Sequence, residues 1–428
     1  MDILFKNARL IDPSQNLDDI GYLGVKNGEI EVLGKGDVSN EGAVKTVDCK
    51  GACLAPGIVD MRVQTADPGA EHLEDLSTLL NAAASSGITG FACLPNAQPI
   101  IDDASMIDSL SLRASRLGGP RLYVYGAATK QLDGAEMAEL GLMADAGAVG
   151  FSNGTKTIEN SLVMRRTLAY SGMLDKPLIQ HCEDSSLAAD GEMNEGETST
   201  RLGLLGIPAV AEAIIIDRDL HLVRLTGARY HVAHLSTRAG INAVRRAKME
   251  GLPVTADTAP PYFLLNEIAV STYDTAFKLS PPLREEDDRL AVIEALADST
   301  IDAIVSDHVP VDRDAKAQPF GPSQPGASGL DTLFALTMTL VHQGSISLLR
   351  AFEMLSLAPA SILDVHGGTL APGSTADLIL CRPDVGWMVQ SKKFASSSRV
   401  TPFEGQPVQG VIDATYVGGV KIFERHSK

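Results

Sequence analysis

The sequence predicts an α/β barrel of eight parallel strands, with a small sheet domain drawn from both ends of the chain. Three observations carry the prediction. Eight short apolar runs recur within about 250 residues, the count and span of a (β/α)8 TIM barrel. Stretches of helical periodicity separate most of them, as crossovers between parallel strands require. Both chain ends instead alternate apolar and polar residues around glycine-containing turns.

In chain order, residues 1–54 are β-rich. "YLGVKNGEIEVLG" alternates around Asn27-Gly28, the strongest short hairpin signal because both turn positions need positive φ. The barrel is expected over 55–367, with strands at 57–64, 89–95, 121–127, 148–152, 177–182, 229–235, 252–257 and 302–307. Helical patterns cover 71–86, 103–117, 159–173, 208–226 and 238–250. A doubly wound open sheet is the rival, but no G-x-G-x-x-G follows the first strand. Residues 368–428 return to strand patterns, "ADLIL" and then "ATYVGGVKIFE" turning at Gly418-Gly419, which suggests that they pair with 1–54 in one sheet domain. Two polar, Gly/Pro-rich segments, 190–207 and 309–329, each follow a strand's C-terminal end, where long loops usually cover a site.

Bulk properties exclude several function classes. A hydrophobic content of 44% and charged content of 21% are those of a globular protein. No apolar run reaches the roughly 18–20 residues of a membrane span, and "MDILFKNARL" lacks the layout of a signal peptide. Five scattered cysteines (49, 53, 93, 182, 381) fit a reduced, cytoplasmic setting. Cys49 and Cys53 have no second pair to complete a zinc knuckle. A formal charge of −18 argues against a nucleic-acid binder.

Chemistry concentrates at strand ends. His181 ends the fifth strand in "IQHCED", His231 and His234 lie in the sixth, and Asp307 and His308 end the eighth in "VSDHVP". A zinc hydrolase needs imidazoles and a carboxylate at one rim, because the metal lowers its bound water's pKa toward ~7. One such histidine alone is more simply a hydrogen-bonded structural residue; three strand ends together favour a site. His231 lies three residues before His234, so the pleat turns it to the opposite face, away from any ligand set.

Several motifs in register give these residues a context: "APGIVDMRVQTADPG", "EHLEDLSTLLNAAASSGITGFACLPNAQP", "MNEGETSTRLGLLGIPAVAEAIIIDRDL", "KLSPPLR" and "VSDHVP". On them the chain resembles, along almost its whole length, the dihydroorotases of the amidohydrolase superfamily, specifically the branch that associates with aspartate carbamoyltransferase. The resemblance implies a TIM barrel of the amidohydrolase type plus a β-sandwich built from both termini. It also implies a role in pyrimidine biosynthesis.

The departures from the family pattern matter more than the match. The family's paired metal-binding histidines correspond to Arg62 and Gln64, and its substrate-gripping arginine to Ala66. Its metal-bridging aspartate is Asn153, the asparagine before "PPLR" is Ser280, and the second histidine of its Asp-His-x-Pro-His motif is Val311. What survives is His181, His234 and Asp307 among the metal residues, Asp307 being also the catalytic remnant, with Asn96 and Arg284 near the substrate pocket. Arg62 cannot lose its proton near neutrality and repels a dication. Gln64 is a poor zinc ligand, and Asn153 lacks the charge that would bridge two metals.

The expectation is therefore a dihydroorotase-like pseudoenzyme with no cofactor or at most one zinc. It should scaffold aspartate carbamoyltransferase as a homo-oligomer or part of a hetero-oligomer, with no nucleic-acid or membrane partner. The alternative is a one-metal hydrolase of a cyclic amide or imide using His181, His234 and Asp307. The two readings part at Arg62. For the pseudoenzyme its guanidinium should enter the barrel mouth and pair with Asp307 at about 2.7–3.2 Å.

Overall fold

Five strands precede the barrel in the computed structural model, which describes residues 1–38 and 42–425: β1 (Ile3–Asp12), β2 (Leu17–Lys26), β3 (Glu29–Lys35), β4 (Lys45–Asp48) and β5 (Cys53–Pro56). Residues 39–41 and 426–428, within the two terminal ranges, lie outside the described residues. The β2–β3 hairpin turns where Asn27 and Gly28 both take left-handed φ, 52° and 81°. β1 pairs antiparallel with β2 and parallel with both β4 and β5.

The barrel strands follow: β6 (Ile58–Val63), β7 (Ile88–Cys93), β8 (Arg121–Ala127), β9 (Gly150–Ser152) and β10 (Leu178–His181). A rim segment then forms a small parallel pair, β11 (Met193–Asn194) with β12 (Gly206–Ile207). β13 (Tyr230–Ala233), β14 (Val254–Thr258) and β15 (Ala303–Ile304) complete the set. Its order is β15-β14-β13-β10-β9-β8-β7-β6, and every recorded pairing is parallel. A parallel bridge from Val63 to His308, with Gln64 N–H donating to the His308 carbonyl at 2.9 Å, brings the two edges together. The closed barrel is the arrangement the eight apolar runs predict.

After the barrel come β16 (Leu378–Met388), β17 (Pro407–Val417) and β18 (Val420–Glu424). β16 pairs antiparallel with β5, so the two ends of the chain share one mixed sheet, β18-β17-β16-β5-β1-β2-β3, with β4 beside β1. β1 and β17 are separated in that sheet by two strands, yet the Phe5 and Tyr416 ring centroids lie 5.1 Å apart, nearly perpendicular. Strands spaced about 4.8 Å apart could not bring these rings together in a flat sheet. The sheet curls until its inner face closes on itself, and Phe5, Leu10, Leu23, Leu54, Leu378 and Tyr416 form a core distinct from that of the barrel.

The helices lie close to their expected positions at Ala104–Leu117, Ser161–Met173, Val210–Thr226 and Arg238–Met249. The first is shorter than 71–86, running Leu76–Ser85. Asp75 caps it by accepting from Thr78 N–H at 2.7 Å, and Glu74, just outside, is drawn into a buried ion pair with His308. All five cysteines are buried free thiols. Among the described residues no helix is long and apolar enough to cross a membrane.

Candidate functional site

The residues singled out from the sequence gather at the C-terminal ends of the barrel strands. Arg62 sits near the end of β6, with Gln64 just beyond it. Asn96, Asn153, His234 and Asp307 follow β7, β9, β13 and β15, and His181 ends β10. This is the face on which TIM barrels build their sites. Two of these residues take left-handed backbone conformations, His234 at φ 36° and Asp307 at φ 47°. Each such non-glycine residue costs about 1–3 kcal/mol and persists where the surroundings over-determine it, typically at a functional site.

The charge at the mouth is held by one ion pair. Arg62 Nε donates to Asp307 Oδ1 at 2.8 Å, and the two side chains are only 3% and 14% exposed. The distance lies within the range expected from the sequence. Burial pushes the Asp307 carboxyl up, and the Arg62 guanidinium opposes that shift. Burial drives the His234 imidazole well below its ordinary value, and the Arg62 charge drives it further, so this ring is neutral. His181 Nδ1 and His234 Nε2 are hydrogen-bonded to each other at 3.0 Å.

Every replaced metal position has found a protein partner. Gln64 Oε1 accepts from Asn96 Nδ2 at 2.9 Å. Asn153 turns its carbonyl oxygen to the Thr129 hydroxyl, 2.7 Å, and its amide nitrogen to the Leu132 carbonyl. A binuclear zinc centre does not fit this donor set. A guanidinium stands beside the carboxylate, the two imidazoles bind one another, and a neutral amide has turned away where a bridging anion would be required. Among the described residues no three His, Cys, Asp or Glu side chains are grouped to hold a metal ion.

A cavity of about 400 Å³ opens above the pair. Of the residues named from the sequence, Arg62, Gln64, Asn96, Ser280 and Asp307 line it. Ala66, Asn153, His181, His234, Arg284 and Val311 do not. Arg284, expected near the substrate pocket, is buried and committed elsewhere. Its Nε donates to Ser236 Oγ, and its Nη1 to Asn194 Oδ1 and the Ile207 carbonyl. It anchors the rim segment 190–207, which contributes nothing to the cavity wall. The second rim segment, 309–329, does contribute, through Val309 and Gln324 to Gly329. Val311 is buried and tied to Ser398.

Sequence reasoning missed two features. Glu74 forms a fully buried pair with His308, 2.6 Å, and also accepts from Ser397 N–H, linking the mouth to the segment before β17. The cavity's apolar walls come from Tyr262, Leu279, Leu336 and Phe403, far apart in the chain and in no local pattern that marks them. His231 bonds to neither His181 nor His234, although Asp257, which its ring meets, also accepts from His234 N–H. Its ring bonds to Thr255 Oγ1 at 2.8 Å and to Asp257 Oδ2 at 2.9 Å, the structural role expected for it.

Residues 51–240 match the Dihydro-orotase-like family. The chain is similar to a dihydroorotase of Pelobacter propionicus, 41% identical over 99% of this chain and 100% of that one. It is also similar to a dihydroorotase of Syntrophus aciditrophicus, 40% identical with the same coverage. Among solved structures it superimposes on an L-hydantoinase (dihydropyrimidinase) of Arthrobacter aurescens with a TM-score of 0.89 at 25% identity, covering 100% of this chain and 97% of that one. A dihydropyrimidinase of Brevibacillus agri, at 20% identity and a TM-score of 0.85 over 99% of this chain and 95% of that one, shares the fold.

Proposed function

This chain belongs to the dihydroorotase family of the amidohydrolase superfamily, and we propose that within it the protein is a non-hydrolysing member, kept for its folded shape as a scaffold for aspartate carbamoyltransferase. The observation that carries the reading is the buried Arg62–Asp307 pair. A fixed cation occupies the mouth of the barrel and engages the carboxylate that the family resemblance assigns to metal binding and catalysis. With Ala66 and Val311 in place of the substrate-gripping pair, orientation of an anionic substrate is lost as well, and orientation contributes several kcal/mol to a typical barrier reduction.

The scaffold half of the reading rests on the resemblance to the carbamoyltransferase-associated branch and on the state of the fold. Barrel and terminal sheet are complete while the changes collect at the mouth. An exposed apolar surface beside the rim segment suits a protein partner. Leu187, Leu205, Val210 and Ile214 are each about 40–60% exposed, and the short helix Ser185–Ala188 packs on both β12 and helix Val210–Thr226. Free buried thiols fit the reduced cytoplasm in which such a complex would work. Co-expression with aspartate carbamoyltransferase from the same organism should give one large species on a sizing column, with transferase activity in that peak. Separate elution at micromolar concentration, with the transferase fully active alone, would remove the scaffold's main support.

A second reading, a cyclic-amide hydrolase with one metal, is favoured by two observations. The cavity is retained, and His181 and His234 still meet beneath the rim. It requires Arg62 to leave Asp307.

A further inference from the structure

The two halves of the terminal sheet are joined by the ladder of β5 against β16, where the chain entering the barrel meets the chain that has left it. In that antiparallel ladder Cys53 stands directly opposite Cys381. Directly opposed residues point to the same face, with Cα atoms about 4.5 or 5.5 Å apart according to their place in the hydrogen-bond pattern. A disulfide takes Cα separations of about 4.4–6.8 Å. The pair therefore has the backbone placement of a cross-link without the bond. Both residues belong to one core, with Ala55, Ile379 and Ile412. Cys49, four residues before Cys53, is buried in the separate core of the terminal sheet. Cys93 and Cys182 lie at the ends of barrel strands.

The two thiols are held in unlike states. A hydrogen bond from Cys381 holds the Cys53 thiol below its ordinary value, against the effect of burial and with help from the Arg9 charge. Arg9 is the register partner of Cys53 on β1. The carboxylates of Asp18 and Asp384 act on Cys53 in the opposite sense without reversing the shift. Burial pushes the Cys381 thiol well above its ordinary value, and its hydrogen bond to Cys53 pushes it further. Burial also raises Cys49 and Cys93, each to about 12, and Cys182. Cys53 alone among the five is tuned toward the thiolate, the form that attacks an oxidant.

We propose that Cys53 and Cys381 are a reversible redox pair, which a hydroperoxide closes into a disulfide that staples the two ends of the chain together. The Cys53 thiolate attacks one peroxide oxygen and the O–O bond breaks, leaving a sulfenic acid on Cys53 and releasing hydroxide, which takes up a proton. The Cys381 sulfur then attacks the Cys53 sulfur, the S–S bond forms, and the Cys381 proton leaves with the sulfenic hydroxyl as water. Two thiols are oxidised and one hydrogen peroxide is reduced to two waters. The oxidant must be small, because Cys53 and Cys381 are only 3% and 0% exposed. The bond closes a loop that contains the entire barrel, and in the chain-entropy account a long loop is where a cross-link most restricts the unfolded chain. The oxidised form is therefore the harder one to unfold, whatever chemistry the barrel mouth retains.

The test treats the full chain with hydrogen peroxide at a dose that fully oxidises free glutathione. Remaining thiols are then blocked with N-ethylmaleimide in denaturant, and the peptides are mapped by mass spectrometry. The expected map shows Cys53 linked to Cys381, with Cys49, Cys93 and Cys182 alkylated, and dithiothreitol restores all five thiols. The thermal midpoint should rise by at least about 3 °C on oxidation and fall back on reduction. In Cys381→Ser the Cys53 sulfenic acid should persist, be trapped by dimedone, and bring no such rise. Five alkylated cysteines after peroxide, a link between Cys49 and Cys53, or a Cys53–Cys381 link that leaves the midpoint unchanged would each overturn the proposal. The wild-type map and midpoint decide the point even if the variant does not fold.

Discussion

The barrel interior and the terminal sheet satisfy their buried polar groups very differently. Among the described residues, every buried side-chain atom without a hydrogen-bond partner lies on a barrel strand or just after one, at Asp60, Arg62, Asn96, Tyr123, Gln180 and His234. The terminal sheet has none, although it buries Asp12, Asp377 and Thr415. Asp12 accepts from Ser14, Gln15, Thr369 and Leu370, and Asp377 from Arg121 and Gly418 N–H. Natural structures leave few such groups unpaired. The sheet has partners for the residues it holds, whereas the barrel leaves polar atoms unpaired along its strands, with those of Arg62, Asn96 and His234 at its mouth.

The sharpest way to break this comparison is at Arg62. Arg62→Met leaves Asp307 buried without a counter-charge and should cost about 3–5 kcal/mol of stability. Combining it with Asp307→Leu should restore most of that, because an apolar pair of similar volume replaces the ions. Urea unfolding measures both; a single variant as stable as wild type would show that the pair does not hold the mouth.

A second probe lies one residue further on. Burial alone would lower the His308 imidazole, but the Glu74 carboxylate outweighs it and the net pKa is raised. A proton that the folded state favours contributes its full stability below about pH 6.5, the ordinary histidine value, and loses it as pH rises through the raised folded value. Glu74→Gln should cost about 2 kcal/mol at acid pH and flatten that dependence. Unfolding midpoints from pH 5.5 to 8, read for wild type and variant in parallel, check it; parallel curves would refute it.

The smallest effect belongs to the sheet. Tyr416→Leu removes the edge-to-face contact with Phe5 and should cost about 1 kcal/mol. It should add to the cost of Arg62→Met without coupling, as urea unfolding of the double variant measures. A double variant departing from the sum by more than about 0.5 kcal/mol would mean that the two regions are coupled more closely than their separate cores suggest.

Architecture was legible where local chemistry decides it. Asn27-Gly28 and Gly418-Gly419 supply the positive φ that their hairpins require, and the barrel strands lie within a few residues of the apolar runs. The pairing of Arg62 with Asp307 was legible too, because a buried carboxylate and a fixed cation at two strand ends have few other ways to be satisfied. Glu74 was hidden inside an expected helix. The cap at Asp75 that excludes it could have been read from Asp-Leu-Ser-Thr, but its His308 partner depends on barrel closure. Arg284 misled for a related reason. Its neighbours Asn194 and Ile207 reach it only once the rim segment has folded, and no sequence spacing brings them together.

The account turns on whether the mouth still holds metal and hydrolyses. The most direct measurement is zinc content by elemental analysis after incubation with excess zinc and gel filtration, with a dihydroorotate hydrolysis assay on the same sample. The account predicts well under one zinc per chain and no turnover above the uncatalysed rate. Close to two zinc per chain, with dihydroorotate hydrolysed, would contradict it.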